Sequence, residues 1–294
     1  AGTSIGTTAM RALPLGVPKL MVSTLASGQV RQYVGDKDIT MMNSVVDISG
    51  INRISRRVLA NAAGAMAGMV AMECPASDND KPLVAATMFG VTTPCVQLVE
   101  RHLRILGVEP LVFHANGAGG TTIERFAKQW LIDAVADLTL AELGNEVVGG
   151  AYPAGPDRMT SARRTGLPQV IAPGAIDMIA FGPGHTLPSK FKNHLVHAHN
   201  DLVTLVRTTP EECHAIGKCL AERLGNPEAE TVVCVPMGGT SMMDKPGEVF
   251  HDPEAVQAFH AGFVSAASPS IQIETTPKNI NDPDFAARIF GHLA

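Results

Sequence analysis

The sequence predicts an α/β protein made of two Rossmann-like domains on parallel sheets, with only the later part of the first domain represented. Three observations carry this. Beyond residue 82, short apolar runs alternate with longer segments of helical period, the pattern of strands joined by crossover helices. Aromatic residues make up 4% of the chain, against 28 glycines and 20 prolines, which suits small-residue packing and many turns. With 294 residues, 45% of them hydrophobic, the chain exceeds one average domain.

In chain order, residues 1–13 read as a glycine-containing loop entering a helix, with no strand before it. Residues 18–24 and 44–48 are short apolar runs and read as buried strands. From Ile51 to Met72 the apolar residues recur at helical spacing. Ala60, Gly64 and Gly68 line one side, which predicts a long helix packed closely on another helix or subunit. The polar stretch Cys74–Pro82 divides the chain into domains at 1–78 and 79–294, and Pro75–Pro82 is expected to be an exposed connection. After it come strands at 83–89, 110–114, 136–140, 169–172, 199–207 and 231–236. Helices are expected at 94–106, 121–131, 210–224 and 253–265, and long loops at 149–164 and 182–193.

The formal net charge is -5, so no basic field is available to hold a nucleic-acid backbone. No apolar run is long enough to span a bilayer, and the amino terminus carries no secretory signature; both point to a cytoplasmic protein. The five cysteines are scattered without a C-x-x-C pair, as expected of reduced, mostly buried thiols.

In open parallel sheets ligands sit outside the carboxyl ends of strands. The segments expected there are rich in glycine and hydroxyl groups. In the first domain they are Gly2, Thr3 and Ser4, then Ser23, Thr24, Ser27 and Gly28. In the second they are Thr92 and Thr93, then Asn116, Gly117, Gly119, Gly120 and Thr121, then Gly238, Gly239, Thr240 and Ser241. Glycines let backbone N–H groups approach an anion and a helix dipole favours it, although the same residues make ordinary caps and turns. Together these loops point to a phosphorylated or carboxylate ligand. None is a Walker loop, and 116–122 lacks the dinucleotide spacing. Arg53, Arg56 and Arg57 open the long helix, where cations oppose the dipole and want an anionic partner: a ligand, Asp47 or a neighbouring subunit. His194, His197, His199 and Asp201 form the densest imidazole cluster. On one strand His197, His199 and Asp201 would share a face, open to a metal or to plain polar packing.

Four strings resemble a known family: residues 10–24 (MRALPLGVPKLMVST), 51–63 (INRISRRVLANAA), 206–212 (VRTTPEE) and 280–285 (INDPDF). Together they resemble the Tm-1-like family from end to end. That resemblance implies two Rossmann-like domains, ATP with magnesium as ligand, and a homodimer or higher homo-oligomer. It also implies an opening segment missing here, the family's glycine loop surviving only as Ala1, Gly2 and Thr3, and a histidine where this chain has Asn279. Two functions follow as expectations. One is an ATP-type or phosphorylated-ligand binding module, held through the first-domain loops with Arg53 balancing charge. The other is an enzyme on a small anionic metabolite, with Asp177, His199 or Asp244 supplying acid–base groups.

Overall fold

The structure is a computed structural model describing residues 2–73 and 81–293; the expected exposed connection lies, apart from Lys81 and Pro82, outside them. The chain divides into two compact units, Ala1–Asp80 and Lys81–Ala294.

In the first unit α1 (Gly2–Arg11) leads to β1 (Leu20–Ser23), a short α2 (Arg31–Val34), β2 (Thr40–Asn43) and α3 (Arg53–Ala71). The helix α1 begins at Gly2 itself, so the expected opening loop is already helical. β1 and β2 pair in parallel from Leu20↔Thr40 to Ser23↔Asn43. The second expected strand is therefore displaced. Residues 44–48 leave the ladder because the Asn43 side chain accepts from Val45 N at 2.9 Å, turning the chain, and Val45 takes a φ of 67°. Asn52 caps α3 by accepting from Ile54 N and Ser55 N, both at 2.9 Å, while Ser55 Oγ accepts from Asn52 N at 2.8 Å. Within the described residues of the first unit the small-residue side of α3 meets no other helix, which leaves a neighbouring subunit as the expected partner. Ala60, Gly64 and Gly68 are exposed, and a Cβ at either glycine would meet nothing within 4 Å.

The second unit holds a six-stranded parallel sheet in the order β11-β10-β6-β5-β3-β4. Its strands are β3 (Leu83–Met88), β4 (Glu109–His114), β5 (Ala134–Asp137), β6 (Gln169–Ile171), β10 (Thr231–Pro236) and β11 (Gln272–Thr276). An antiparallel three-stranded sheet, in the order β7-β9-β8, is made by β7 (Met178–Phe181), β8 (Val196–Asn200) and β9 (Val203–Arg207). The expected single strand 199–207 is thus a hairpin. Asn200 Oδ1 accepts from Leu202 N at 2.9 Å and reverses the chain at the turn-forming pair Asn200 and Asp201.

Alternate residues of the central strands face opposite helical layers. Val84, Ala86, Val170, Val232 and Cys234 pack under α4 (Thr93–Ile105) and α10 (Pro283–Gly291). On the opposite face Ile171, Val233 and Val235 pack with α6 (Ala141–Val148), α8 (Pro210–Leu224) and α9 (Pro253–Ala266). Ala85 and Val135 pack with α5 (Ala118–Lys128) and residues of the short α7 (Ser161–Thr165). Helices on both faces of a parallel sheet make the fold Rossmann-like, as the alternation predicts. The close helix packing expected of α3 is found between α8 and α9. A Cβ on Gly217 would stand 2.2 Å from Phe259 O, and one on Gly262 2.1 Å from His214 O.

Candidate functional site

The strand order reverses beside β3, whose neighbours are β4 and β5, and the loops at those carboxyl ends are where a ligand is expected. Directly at the switch point the crevice is filled by the protein itself. Thr92 and Thr139 share a hydrogen bond of 2.8 Å, Thr87 Oγ1 donates to Asp137 Oδ1 at 2.8 Å, and all four side chains are buried.

Beneath this lies Arg158, fully buried among three carboxylates. Its Nη2 donates to Asp137 Oδ1 at 2.7 Å and its Nη1 to Asp137 Oδ2; its Nε donates to Glu142 Oε2 at 2.9 Å, and Glu124 Oε1 lies 3.7 Å from Nη1. Three anions around one cation need further donors, and the backbone supplies them. Glu142 Oε1 accepts from Gly117 N at 2.6 Å and Gly120 N at 3.0 Å; Glu124 accepts from Met159 N at 2.5 Å and Ser161 N at 2.8 Å. Burial opposes the guanidinium charge, but Asp137, Glu142 and Glu124 outweigh it and raise its pKa above the ordinary value.

This network engages the loops expected to hold an anion in the second unit. α5 begins at Ala118, so Gly119 and Gly120 lie in its first turn, and the N–H groups expected to hold a phosphate hold Glu142. Thr121 Oγ1 donates to Gly117 O at 2.7 Å, and Thr93 Oγ1 to Phe89 O at 3.2 Å. The third loop is spent likewise: Thr240 N and Oγ1 donate to Asp244 Oδ2 at 2.9 and 3.2 Å, and Ser241 Oγ donates to Asp177 Oδ2 at 2.7 Å. Gly238 N and Gly239 N donate to Lys278 O and Pro236 O. These glycines serve close packing instead, since a Cβ on Gly238 would stand 2.4 Å from Pro277 O.

Asp177 and Asp244, expected as acid–base groups, are buried around Thr240. Burial, together with the charge of Asp244, raises the Asp177 pKa against the opposing pull of Arg207; burial likewise raises Asp244. Arg207 holds the cluster by donating its Nε to Phe250 O at 2.7 Å, with its Nη2 3.7 Å from Asp244 Oδ1. Asn279 Nδ2 donates to Ser241 O at 3.0 Å and Asp244 O at 3.2 Å, a packing role that needs the amide. These groups brace the loop rather than face solvent.

What remains open is a cavity of about 500 Å³ at the carboxyl ends of β3 and β4. Phe89, Val91, Tyr152, Val203, Leu205 and Met242 give it an apolar wall; His114, Asn116, His199 and Asn200 give it polar edges. His199 thus joins a cavity on β8, whereas Asp201 falls in the turn after it and the β8–β9 register slips between Ala198 and Asn200. The shared metal face expected of His197, His199 and Asp201 does not form. His194 Nε2 pairs instead with Glu212 Oε1 at 3.1 Å.

In the first unit Thr3, in the first turn of α1, meets Ser23 at the end of β1, hydroxyl to hydroxyl at 2.8 Å. Ser23 Oγ also accepts from Leu25 N at 3.1 Å, and Ser44 N donates to Ser23 O at 3.3 Å, setting Ser44 beside it. Ser44 is 3% exposed, and its hydroxyl has no partner among the described residues. Gly2, Ser4, Thr24, Ser27 and Gly28 are exposed around this end, with Ser27 Oγ donating to Thr24 O at 2.9 Å. Arg53 is exposed at the start of α3, whose amino-terminal amides Asn52 already occupies.

Sequence reasoning missed Ser44, Arg158 and Tyr152. Ser44 falls in an expected strand, and Arg158 and Tyr152 lie in a stretch whose glycines and prolines signal only a loop. Arg158 is required by Glu124, Asp137 and Glu142, three acids that the fold buries and that need a buried cation.

Among the described residues no helix is long and apolar enough to cross a membrane. Residues 1–75 match the N-terminal domain, and residues 81–294 the C-terminal domain, of the family described as uncharacterised protein family UPF0261. The match at 1–75 does not support the expectation that the chain lacks the family's opening segment. The chain is 49% identical over 286 residues to a UPF0261 protein of Clostridium tetani, covering 97% of this chain and 71% of that one. It is 44% identical to the UPF0261 protein mlr3387 of Mesorhizobium japonicum, covering 99% and 74%. It is 40% identical to the ToMV resistance protein Tm-1(GCR237) of Solanum lycopersicum, covering 97% of this chain and 39% of that one. The chain belongs to the UPF0261 family and has Tm-1 among its homologues.

Proposed function

We propose that the chain binds a phosphorylated small ligand of the nucleotide type at the carboxyl ends of β1 and β2. The observation that carries this reading is Ser44, a buried hydroxyl without a partner among the described residues, beside the Thr3–Ser23 pair. An unpaired buried hydroxyl costs free energy unless a ligand pairs it. Phosphate oxygens accept from such hydroxyls and are favoured by the dipole of α1, which starts at Gly2 and carries Thr3 in its first turn. Magnesium would neutralise part of the phosphate charge, with Arg53 as a further cation, and the family resemblance adds ATP and a homodimer to the reading. The test is calorimetric titration of ATP, with and without magnesium, into the full chain, Ser44→Ala and Arg53→Ala. Ser44→Ala should weaken binding by about tenfold, or about 1.4 kcal/mol, while leaving the free protein as stable or slightly more so, since it removes an unpaired hydroxyl. No heat from the full chain would sink the nucleotide reading.

A second reading rests on the cavity of the second unit. Its volume of about 500 Å³, apolar wall and few polar edges suit a small organic metabolite with a flat apolar body. His114 and His199 are then the groups able to exchange protons or receive a carboxylate. Thermal-shift screening of carboxylated aromatic compounds against the full chain and His199→Ala separates the readings, because a hit here should be indifferent to Ser44→Ala.

A further inference from the structure

On the sheet face covered by α4 and α10, Cys234 of β10 stands in register with Glu274 of β11. Paired residues of neighbouring strands project to the same side, about 5 Å apart. Just beyond the carboxyl end of α10 comes His292, whose Nε2 lies 3.2 Å from Glu274 Oε1. One ligand atom from each of the three residues lies within 4.8 Å of the other two, the one such group of His, Cys, Asp or Glu among the described residues.

We propose that Cys234, Glu274 and His292 form a binding site for a thiophilic divalent cation of the zinc class. A thiolate, an imidazole and a carboxylate are donors that zinc accepts together, whereas magnesium and calcium favour oxygen alone. Thiolate and carboxylate together balance the two positive charges in a place that is half buried. Arg288 stands 3.9 Å from the other carboxylate oxygen, Glu274 Oε2, and so leaves Oε1 turned toward His292. Gln272 Nε2 donates to Oε1 at 2.9 Å and holds that orientation. Three protein ligands leave a fourth position. His292 also lines a small cavity of about 70 Å³ with Val232, Gln169 and Leu293, roomy enough for a water. As a ligand Cys234 must be a thiolate and His292 a neutral imidazole, so cation binding displaces protons. A bound cation would tie β10, β11 and the end of α10 together.

The competing arrangement is a plain Glu274–His292 ion pair above a core cysteine. The two are separated by titrating cobalt(II), a coloured stand-in for zinc, into the chelator-treated full chain. The expected result is a near-ultraviolet thiolate-to-cobalt charge-transfer band saturating at one equivalent and displaced by zinc, with protons released on binding. Cys234→Ser should abolish the band, and His292→Ala, at a partly exposed position that leaves the core intact, should weaken cobalt binding by at least about tenfold. Zinc should raise the melting temperature of the wild-type chain but not that of His292→Ala. Absence of the band in the wild-type chain, its persistence in Cys234→Ser, or unchanged affinity in His292→Ala overturns the proposal.

Discussion

The carboxylate of Glu142 occupies the position at Gly120 that an anionic ligand would take at a helix amino terminus. Gly120 N donates to Glu142 Oε1 at 3.0 Å, and a Cβ on Gly120 would stand 1.9 Å from Oε2. The chain carries its own anion there, which is why the glycine-rich sequence of the loop points to a ligand that the fold replaces.

Removing that anion should be costly and specifically repairable. Glu142→Ala leaves Arg158 with fewer counter-charges and two amides without an acceptor, a loss of about 3–5 kcal/mol. Sulfate or phosphate should restore more stability to this variant than to the wild-type chain, measured by urea unfolding with and without the anion. Equal effects on both would show that the vacated site is not an anion site.

The raised pKa of Asp177 fixes the sign of a pH effect. A carboxyl that holds its proton more tightly when folded than when unfolded adds stability below the unfolded value, about 3.9, and that contribution is lost as pH rises through the folded value. Each unit of difference is worth about 1.4 kcal/mol. Asp177→Asn should therefore flatten the decline of stability toward neutral pH relative to the wild-type chain, read from urea midpoints between acid and neutral conditions. Parallel curves would refute the linkage.

Asn279 donates one amide nitrogen to the carbonyls of Ser241 and Asp244 and so pins the loop that carries Thr240. Asn279→Ala should cost about 1–3 kcal/mol by leaving buried acceptors unpaired. Asn279→Asp should cost more, because a carboxylate repels the same carbonyls, and the excess should fade on acidification. Chemical denaturation at two pH values decides it.

Gly217 of α8 and Gly262 of α9 each lie against backbone of the opposite helix. Gly217→Ala forces the helices apart and should lower stability by about 3 kcal/mol, seen as an earlier thermal transition. Gly64→Ala on the open side of α3 should instead raise helix stability by up to about 1 kcal/mol.

The contrast between these two helices shows where sequence reading succeeds and stops. The strands expected at 83–89, 169–172 and 231–236 and the helices expected at 94–106 and 210–224 lie within a residue of the folded elements because apolar periodicity reports burial directly. Small residues report only that close approach is permitted; they mark the α8–α9 crossing and the open side of α3 alike. The turn of hairpin β8–β9 was legible in Asn200 and Asp201, both turn-forming residues, and escaped only because apolar residues resume directly after them. At the site, the glycine loops were legible as backbone that can bind an anion, but which anion depends on Glu142 and Asp244. Those residues are 22 positions after Gly120 and 4 after Thr240, and only the folded chain brings the first pair together.

The sheet order also governs how the chain must assemble. β6 pairs with β10, from Gln169↔Thr231 onward, across the antiparallel sheet and α8 that lie between them in sequence. During synthesis β3, β4, β5 and β6 emerge with one edge of β6 unpaired until residue 231 and its neighbours follow. Closing so long a loop is entropically slow and exposes a hydrophobic strand edge meanwhile. The second unit should therefore refold in a late, concentration-sensitive phase, and a chain truncated before β10 should aggregate rather than fold.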